Sequence, residues 1–363
     1  MTALTVRERV PLAPLTTLAV GGEARWFVAA ADEATVVAAH TWARARGVAL
    51  RVLGGGSNLL VADAGVDALV VHVGLRGVSA RRAGGALELT AAAGEPWDGL
   101  VRHAVEHGWA GLECLSGIPG LVGATPIQNV GAYGQEVSDT VTAVRTLDTQ
   151  RGEIVTIPAA GCGFAYRDSL FKRGEAGRWV VLAVTYRLQP GGTPTLGYAD
   201  VAGQLARQGT APPTLAAVRE AVLAIRRGKS MVLDDPLDPN RRSCGSFFLN
   251  PILDAVEAGA VAARADEPAM PRWPQADGRV KLSAAWLIEH AGFRRGERAG
   301  PVGLSSRHTL AIVAHDGARA SDVVAFARRL QDAVEARFGV RLTPEPVFWG
   351  DVPPATRVPP LPS

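Results

Sequence analysis

The sequence predicts an α+β protein of two units, and three observations predict it. Short strand-like runs alternate with amphipathic helical stretches up to about residue 190. A turn-rich stretch from 189 to 213 follows, and from Thr214 a second, smaller mixture of helix and strand begins. The 363 residues are 47% hydrophobic and 20% charged, enough apolar material for two such cores, which excludes wholesale disorder.

In chain order, a helix over 33–46 ends at Gly47, and the strand-like run 48–53 leads straight into Gly54-Gly-Gly-Ser-Asn58. Further strands are expected over 68–73 and 86–90. Trp97, Leu100, Val101, Ala104 and Val105 then recur at helical spacing before Gly108. The runs 141–147 and 153–157 flank Asp148-Thr-Gln-Arg-Gly152 as a hairpin, and 179–188 reads as a buried strand. Thr214 is a good N-cap for a helix with Leu215, Val218, Val222 and Ile225 on one face, stopping at Gly228. Beyond it come a helix over 283–290, a strand over 309–314, and a helix from Asp322 behind a Ser321 cap. That last helix aligns Val323, Phe326, Ala327, Leu330, Val334 and Phe338.

Composition removes several function classes. Lys and Arg number 38 against 35 Asp and Glu, a net charge of +3 with the cations scattered, which gives no nucleic-acid footprint. Three cysteines, Cys114, Cys162 and Cys244, lie far apart without a C-x-x-C, so neither a disulfide framework nor a zinc knuckle is indicated and a reducing compartment is expected. The longest apolar runs fall short of the ~20 residues that span a bilayer. Residues 10–20 bear a faint likeness to a secretory signal, but Pro11, Pro14, Thr16 and Thr17 interrupt it, and a cytoplasmic protein is expected.

Glycine and proline, 41 and 24 residues, are enriched without any period, so their positions carry the information. Gly54-Gly-Gly-Ser-Asn58 ends a strand and lets backbone N–H groups approach an anion, as a pyrophosphate requires; a tight strand-ending turn is the alternative. It is neither a Walker A loop nor the Rossmann fingerprint, since no Gly-Lys-Ser/Thr follows and Leu59 stands at the third glycine. From Gly117 to Gly134 five glycines and two prolines exclude a regular element. With Gln128 and Asn129 such a loop suits a planar heterocycle and a diphosphate, or a structural Ω-type loop. His103-Ala-Val-Glu-His107 matches the inverted zinc-protease pattern, yet both histidines fall on the polar face of their helix, and a solvated face is the expectation. Arg167 in Tyr166-Arg-Asp-Ser169 is placed to clamp a carboxylate, Ser246 lies in Cys244-Gly-Ser-Phe-Phe248, and Glu345 stands between two prolines. Each of these three could equally be a salt bridge, turn or surface feature.

Taken in order, the Gly54–Asn58 loop, Ile118-Pro-Gly120 through Asn129-Val-Gly-Ala-Tyr-Gly134, Tyr166-Arg-Asp-Ser169, Gly245-Ser-Phe-Phe248 with Asn250-Pro251, Gln275-Ala-Asp-Gly278 and Pro344-Glu345 resemble the UDP-N-acetylenolpyruvoylglucosamine reductase (MurB) family, over about 15–350. The resemblance implies an FAD-binding domain of the vanillyl-alcohol oxidase (PCMH) type in two subdomains, 1–75 and 76–213, with the core flavin region over 15–190. It also implies a smaller α+β substrate-binding domain over 214–340 and a terminal segment, 341–363, with Glu345 and a proline-rich tail. By the same resemblance FAD is held noncovalently by Leu53, Gly54, Gly55, Gly56, Ser57, Asn58 and Leu59. Its other contacts are Ile118, Pro119, Gly120, Gly123, Ala124, Thr125 and Ile127, then Gln128, Asn129, Gly131, Ala132 and Tyr133, with Arg167 and Val181.

The implied catalytic residues are Arg167, Ser246 and Glu345. Tyr198, Arg226, Lys229 and Asn250, with Ser246 and Glu345, are implied for the UDP-sugar, and Tyr198 in Gly197-Tyr-Ala-Asp200 resembles the loop of the type I form. The implied reaction is NADPH-driven reduction of an enolpyruvyl ether to a lactyl ether in peptidoglycan precursor synthesis. The implied partner is a small molecule, without nucleic acid, metal or membrane insertion, and the protein is a monomer or weak homo-oligomer. The 229–246 segment is longer than in short family members, Cys244 replaces a small residue, and Thr309 and Trp273 replace a glutamine and a tyrosine. Two rivals stand beside this reading, another FAD-dependent oxidoreductase of the same fold and a nonredox nucleotide-sugar binding protein.

Overall fold

The computed structural model describes residues 4–173, 177–209, 212–267 and 270–351, so the proline-rich tail beyond Asp351 lies outside the described residues. The chain divides into two compact units. The first comprises 1–10, 24–56 and 67–234, the second 11–23, 57–66 and 235–363.

The first unit is built on two sheets. One runs Arg7–Pro11, Glu23–Ala30, Val66–Val73, Leu50–Leu53, the last two parallel. Helix α1 (Glu33–Ala45) begins where the Asp32 carboxylate accepts the Thr35 N–H and buries Val36, Ala39, His40 and Ala43. The second sheet is antiparallel, in the order Glu153–Pro158, Val141–Asp148, Trp179–Pro190, Ala86–Ala92, Val78–Ala83, with Trp109–Ala110 pairing the end of Trp179–Pro190. Glu153–Pro158 and Val141–Asp148 form the expected hairpin. Helix α2 (Trp97–Glu106) buries the five apolar residues whose spacing predicted it.

Two expectations need correcting here. The 189–213 stretch contains helix α3 (Ala199–Gln208), missed because only Val201 and Leu205 are buried in a run otherwise small or polar. Helix α4 (Leu215–Gly228), capped by Thr214 as expected, packs Val218, Ala221 and Val222 with Val201, Leu205 and Cys114 in one apolar cluster. The packing therefore keeps 214–234 in the first unit, and the C-terminal stretch of the second begins at 235 rather than 214.

In the second unit Leu59–Val61 pairs in parallel with Val347–Trp349. Two three-stranded sheets accompany it, in the orders Ile252–Leu253, Val280–Leu282, Arg272–Pro274 and Arg298–Ala299, Val302–Leu304, Ile312–Ala314. Helix α5 (Ala255–Ala265) carries an Asp254–Glu257 capping box, α6 (Ala284–His290) is capped by Ser283, and α7 (Ala320–Phe338) buries the predicted apolar face. The alanine-rich sequence of α5 has little period and does not predict this helix. Ser321 is not the cap of α7. Its first turn is closed by Asp63, whose carboxylate accepts the N–H groups of Ala320 (2.7 Å) and Ser321 (3.2 Å) from 257 and 258 residues away. The strand expected over 309–314 is shortened to Ile312–Ala314, since the Leu310 carbonyl accepts the Phe247 N–H at 2.7 Å.

Candidate active site

In the first unit, strand Leu50–Leu53 stops at Gly54, and Gly56 adopts φ 60°, a left-handed conformation that glycine reaches without strain. A side chain on Gly55 would lie 3.0 Å from the Gly120 Cα, so the two glycine segments touch backbone to backbone. No described acceptor takes the N–H groups of Gly54, Gly55, Gly56 or Gly120. Donors left in this state, on backbone stripped of side chains, fit the diphosphate of a dinucleotide such as FAD. Ser57, Asn58 and Leu59 continue into the second unit, where the Asn58 carbonyl accepts the Val347 N–H and its amide donates to the Glu345 carbonyl (3.3 Å).

The 117–134 loop is ordered by bonds at both ends. Val122 and Gly123 donate to Glu95 and Ala93 (both 2.9 Å), the Thr125 hydroxyl meets that of Tyr186, and the Ile127 carbonyl accepts from Ser169 (2.6 Å). A Cβ on Gly123 would stand 2.6 Å from that of Ala93, so the loop lies directly on the sheet edge. Val181 is buried on strand Trp179–Pro190. Asn129, at φ 44° and 1% exposure, has its amide engaged by protein. Nδ2 donates to Glu136 Oε2 (2.6 Å) and the Ala165 carbonyl (3.1 Å), and Oδ1 accepts the Ser138 N–H (3.1 Å). That amide is a brace for the loop. Arg167, also left-handed at φ 54°, donates to the carbonyls of Asn129 (3.4 Å) and Gly131 (2.7 Å).

A second cluster of the first unit gathers Tyr133, Tyr198, Arg226 and Lys229. The tyrosine rings meet edge-on at 5.4 Å. Arg226, in the last turn of α4, donates to the Met231 carbonyl (2.8 Å) and interacts with the Tyr133 hydroxyl, while its buried Nε has no described partner. Burial holds the Arg226 guanidinium pKa below its ordinary value, opposed by Tyr133, and burial raises the phenols of Tyr133 and Tyr198. An incompletely satisfied buried guanidinium beside two phenols and the Lys229 ammonium suits an anionic, ring-bearing ligand. Lys229 meanwhile lies 3.9 Å from the Asp200 carboxylate.

In the second unit, Ser246 and Glu345 stand on adjoining segments. Glu345 N–H donates to the Phe247 carbonyl and Leu249 N–H to the Thr343 carbonyl, both at 2.9 Å. Ser246 is partly exposed between buried Cys244 and the T-shaped pair Phe247 and Phe248. Burial, reinforced by the charge of Glu345, raises the Cys244 thiol to about 12, so this cysteine stays protonated near the serine. Asn250 accepts the Ala284 N–H at the start of α6 (3.0 Å), and Thr309 donates to Glu289 (3.2 Å).

The family described as "FAD binding domain" matches residues 24–158, and that described as "UDP-N-acetylenolpyruvoylglucosamine reductase, C-terminal domain" matches 235–349. A UDP-N-acetylenolpyruvoylglucosamine reductase of Saccharopolyspora erythraea is 48% identical over 93% of this chain and 94% of its own, and one of Nocardia farcinica 48% over 96% and 91%. The chain belongs to the UDP-N-acetylenolpyruvoylglucosamine reductase family. The solved MurB structure of Thermus caldophilus, 26% identical, superposes over 96% of this chain and 100% of that one with a TM-score of 0.66. The expected α+β fold with an FAD-binding domain and a smaller substrate domain is thereby established. The two family matches leave out 159–234, the stretch that carries Arg167, Tyr198, Arg226 and Lys229.

Several residues that shape the candidate site have no local signature in the sequence. Asp98 accepts both Arg219 terminal nitrogens at 2.7 Å together with the Gly117 N–H, tying the start of the glycine loop to α4. Burial raises the Asp98 carboxyl pKa, but the bonds from Arg219 and Gly117 outweigh it and hold it below its ordinary value. Glu113, fully buried, accepts the N–H groups of Gly111 and Thr195 (2.8 Å each) and the Gln135 amide (2.9 Å), fixing the approach to Tyr198. The imidazoles of His103 and His107 lie 4.2 Å apart beside Trp109, at the surface of α2. Among the described residues no helix is long and apolar enough to cross a membrane.

Proposed function

We propose that the protein reduces the enolpyruvyl group of UDP-N-acetylglucosamine enolpyruvate to the lactyl ether of UDP-N-acetylmuramate, using FAD and NADPH, in peptidoglycan precursor synthesis. The carrying observation is the 48% identity to a reductase of that name over 93% of the chain. FAD held there would supply the hydride chemistry that links NADPH to the enolpyruvyl methylene carbon.

The residues then divide the work. Gly54, Gly55, Gly56 and Gly120 offer their N–H groups to the FAD diphosphate, and the braced 117–134 loop shields the ring system from water. Tyr198, Arg226 and Lys229 take the UDP-sugar, with the cations at the end of α4 facing its diphosphate. Negative charge develops beside the substrate carboxylate as hydride arrives. Arg167 neutralises it, helped by Glu345 in its protonated form, and positioned donors of this kind are each worth a few kcal/mol. The Ser246 hydroxyl delivers the proton to the adjoining carbon, which a weak acid can do because an enolate is strongly basic. Asn250 contributes to substrate placement. The protein works in the cytoplasm as a monomer or weakly associating homo-oligomer.

Purified protein tests this at once. It is expected to carry noncovalent flavin absorbing near ~450 nm, to bleach anaerobically with NADPH, and to recover its colour on adding the enolpyruvate. Bleaching without recovery would favour another flavin oxidoreductase, and colourless protein that cannot be reconstituted with FAD would favour a nonredox binder.

A further inference from the structure

We propose that Glu136, through Asn129, is a positioning residue for Arg167. This rests on the reading of Arg167 as the group that neutralises the substrate carboxylate.

Three non-glycine residues near the glycine loop hold left-handed backbone, Asn129 (φ 44°), Tyr133 (φ 50°) and Arg167 (φ 54°), which marks a conformation the surroundings must enforce. Asn129 joins two of the structures involved. Its amide bonds the Ala165 carbonyl at the base of the turn that presents Arg167, a turn closed by reciprocal bonds between Ala165 and Asp168 (3.0 and 3.1 Å). Its own carbonyl, with that of Gly131, receives the Arg167 guanidinium. Asn129 therefore fixes both the root and the tip of the arginine.

The orientation of Asn129 in turn depends on Glu136. The Glu136 carboxylate takes the shortest of the amide's bonds, 2.6 Å, and a charged acceptor makes it the strongest. Glu136 pairs across a two-stranded ladder with Gly131. A Cβ on Gly131 would lie 2.8 Å from Glu136 Cγ and 3.2 Å from Arg167 Nη1, so both side chains lie against this one glycine. Without the carboxylate, the amide loses its shortest and only charged bond, and the Asn129 carbonyl that receives the guanidinium shifts with it.

The test uses the FAD-loaded enzyme and three variants, Glu136→Ala, Glu136→Asp and Glu136→Gln. Flavin reoxidation by the enolpyruvate, measured anaerobically after stoichiometric reduction, should slow about 10- to 100-fold in Glu136→Ala and Glu136→Asp, the scale of a misplaced catalytic group. FAD affinity and the rate of reduction by NADPH should stay within about 2-fold of wild type. Glu136→Gln keeps an oxygen that accepts from Asn129 and should recover most of the lost rate. A crystal structure of Glu136→Ala should show the guanidinium off the Asn129 and Gly131 carbonyls. Should Glu136→Ala fail to fold, Glu136→Asp carries the same expectations. Unchanged reoxidation, equal loss in both half-reactions, or an undisplaced guanidinium would overturn the proposal. Wild-type enzyme that the enolpyruvate cannot reoxidise would instead break the proposed reaction, with the crystallographic readout still deciding where Glu136 places Arg167.

Discussion

The two units hold their functional side chains in different ways. In the first, Arg167 and Asn129 stand on left-handed backbone in irregular segments, Asn129 held by Glu136, Ala165 and Ser138 and Arg167 by the carbonyls of Asn129 and Gly131. In the second, Ser246 directly precedes Phe247 and Phe248, 0% and 1% exposed, with Glu345 on the adjoining segment. On the proposed reading, the difference teaches that the first unit grips large anionic ligands through backbone and cations, whereas the second offers one hydroxyl and one carboxyl beside buried aromatic residues. Substitutions in the glycine segments or at Asp98 of the first should disturb ligand occupancy or folding, and those at Ser246 a single chemical step.

The largest effect is expected from Ser246→Ala. Reoxidation of reduced flavin by the enolpyruvate should fall about 10²- to 10⁴-fold, the range for a lost general acid, while NADPH reduces the flavin as before. Anaerobic stopped-flow measurement of each half-reaction decides this, and equal losses in both would erase the contrast between the units.

Gly55→Val comes next. Its Cβ would press at 3.0 Å on the Gly120 Cα. Overpacking of about 1–3 kcal/mol implies roughly 10- to 100-fold weaker FAD binding. Both half-reactions should then drop with flavin occupancy and return when FAD is added in excess, as the ratio of flavin to protein absorbance would show.

Asp98→Ala should cost about 1–2 kcal/mol in urea unfolding, less than a fully buried pair because Asp98 is 39% exposed at its side chain. The pH dependence follows from its lowered pKa. The stability it contributes is complete above the unfolded value of about 3.9 and is lost as pH falls through the lower folded value. Asp98→Asn should flatten that acid arm, whereas an unaltered profile would remove Asp98 from the bracing role.

The smallest effect concerns the thiols. Burial first of all lifts Cys114 and Cys244 to about 12 and Cys162 to about 11. Folded protein at pH 8 should therefore resist a thiol-disulfide reagent that titrates all three cysteines once it is unfolded. Rapid reaction of Cys244 would contradict the burial assigned to the residues beside Ser246.

What could be read from the sequence follows the range of the interactions. Thr214 and Ser283 cap their helices through the N–H three residues on, and the apolar face of α7 repeats every three or four residues, so these features were legible locally. Motif order was enough to give the family and its flavin domain. The Asp98–Arg219 pair spans 121 residues, Glu113 meets Thr195 across 82, and Asp63 closes α7 from 257 residues away. No local period encodes such partners. The same reason explains α4, whose sequence predicts a helix but not the unit on which it packs. Asn129 shows the limit within the site, since its position in the glycine loop suggested a flavin contact and only the fold reveals that its amide is engaged by Glu136, Ala165 and Ser138.

The most direct measurement is the stoichiometry of turnover, with NADPH oxidation and nucleotide-sugar product followed together after UDP-N-acetylglucosamine enolpyruvate is added to the FAD-loaded protein. One UDP-N-acetylmuramate formed per NADPH consumed, with negligible oxidation in its absence, is the predicted result. NADPH oxidation that ignores the enolpyruvate, or none at all from flavin-replete enzyme, would contradict the account.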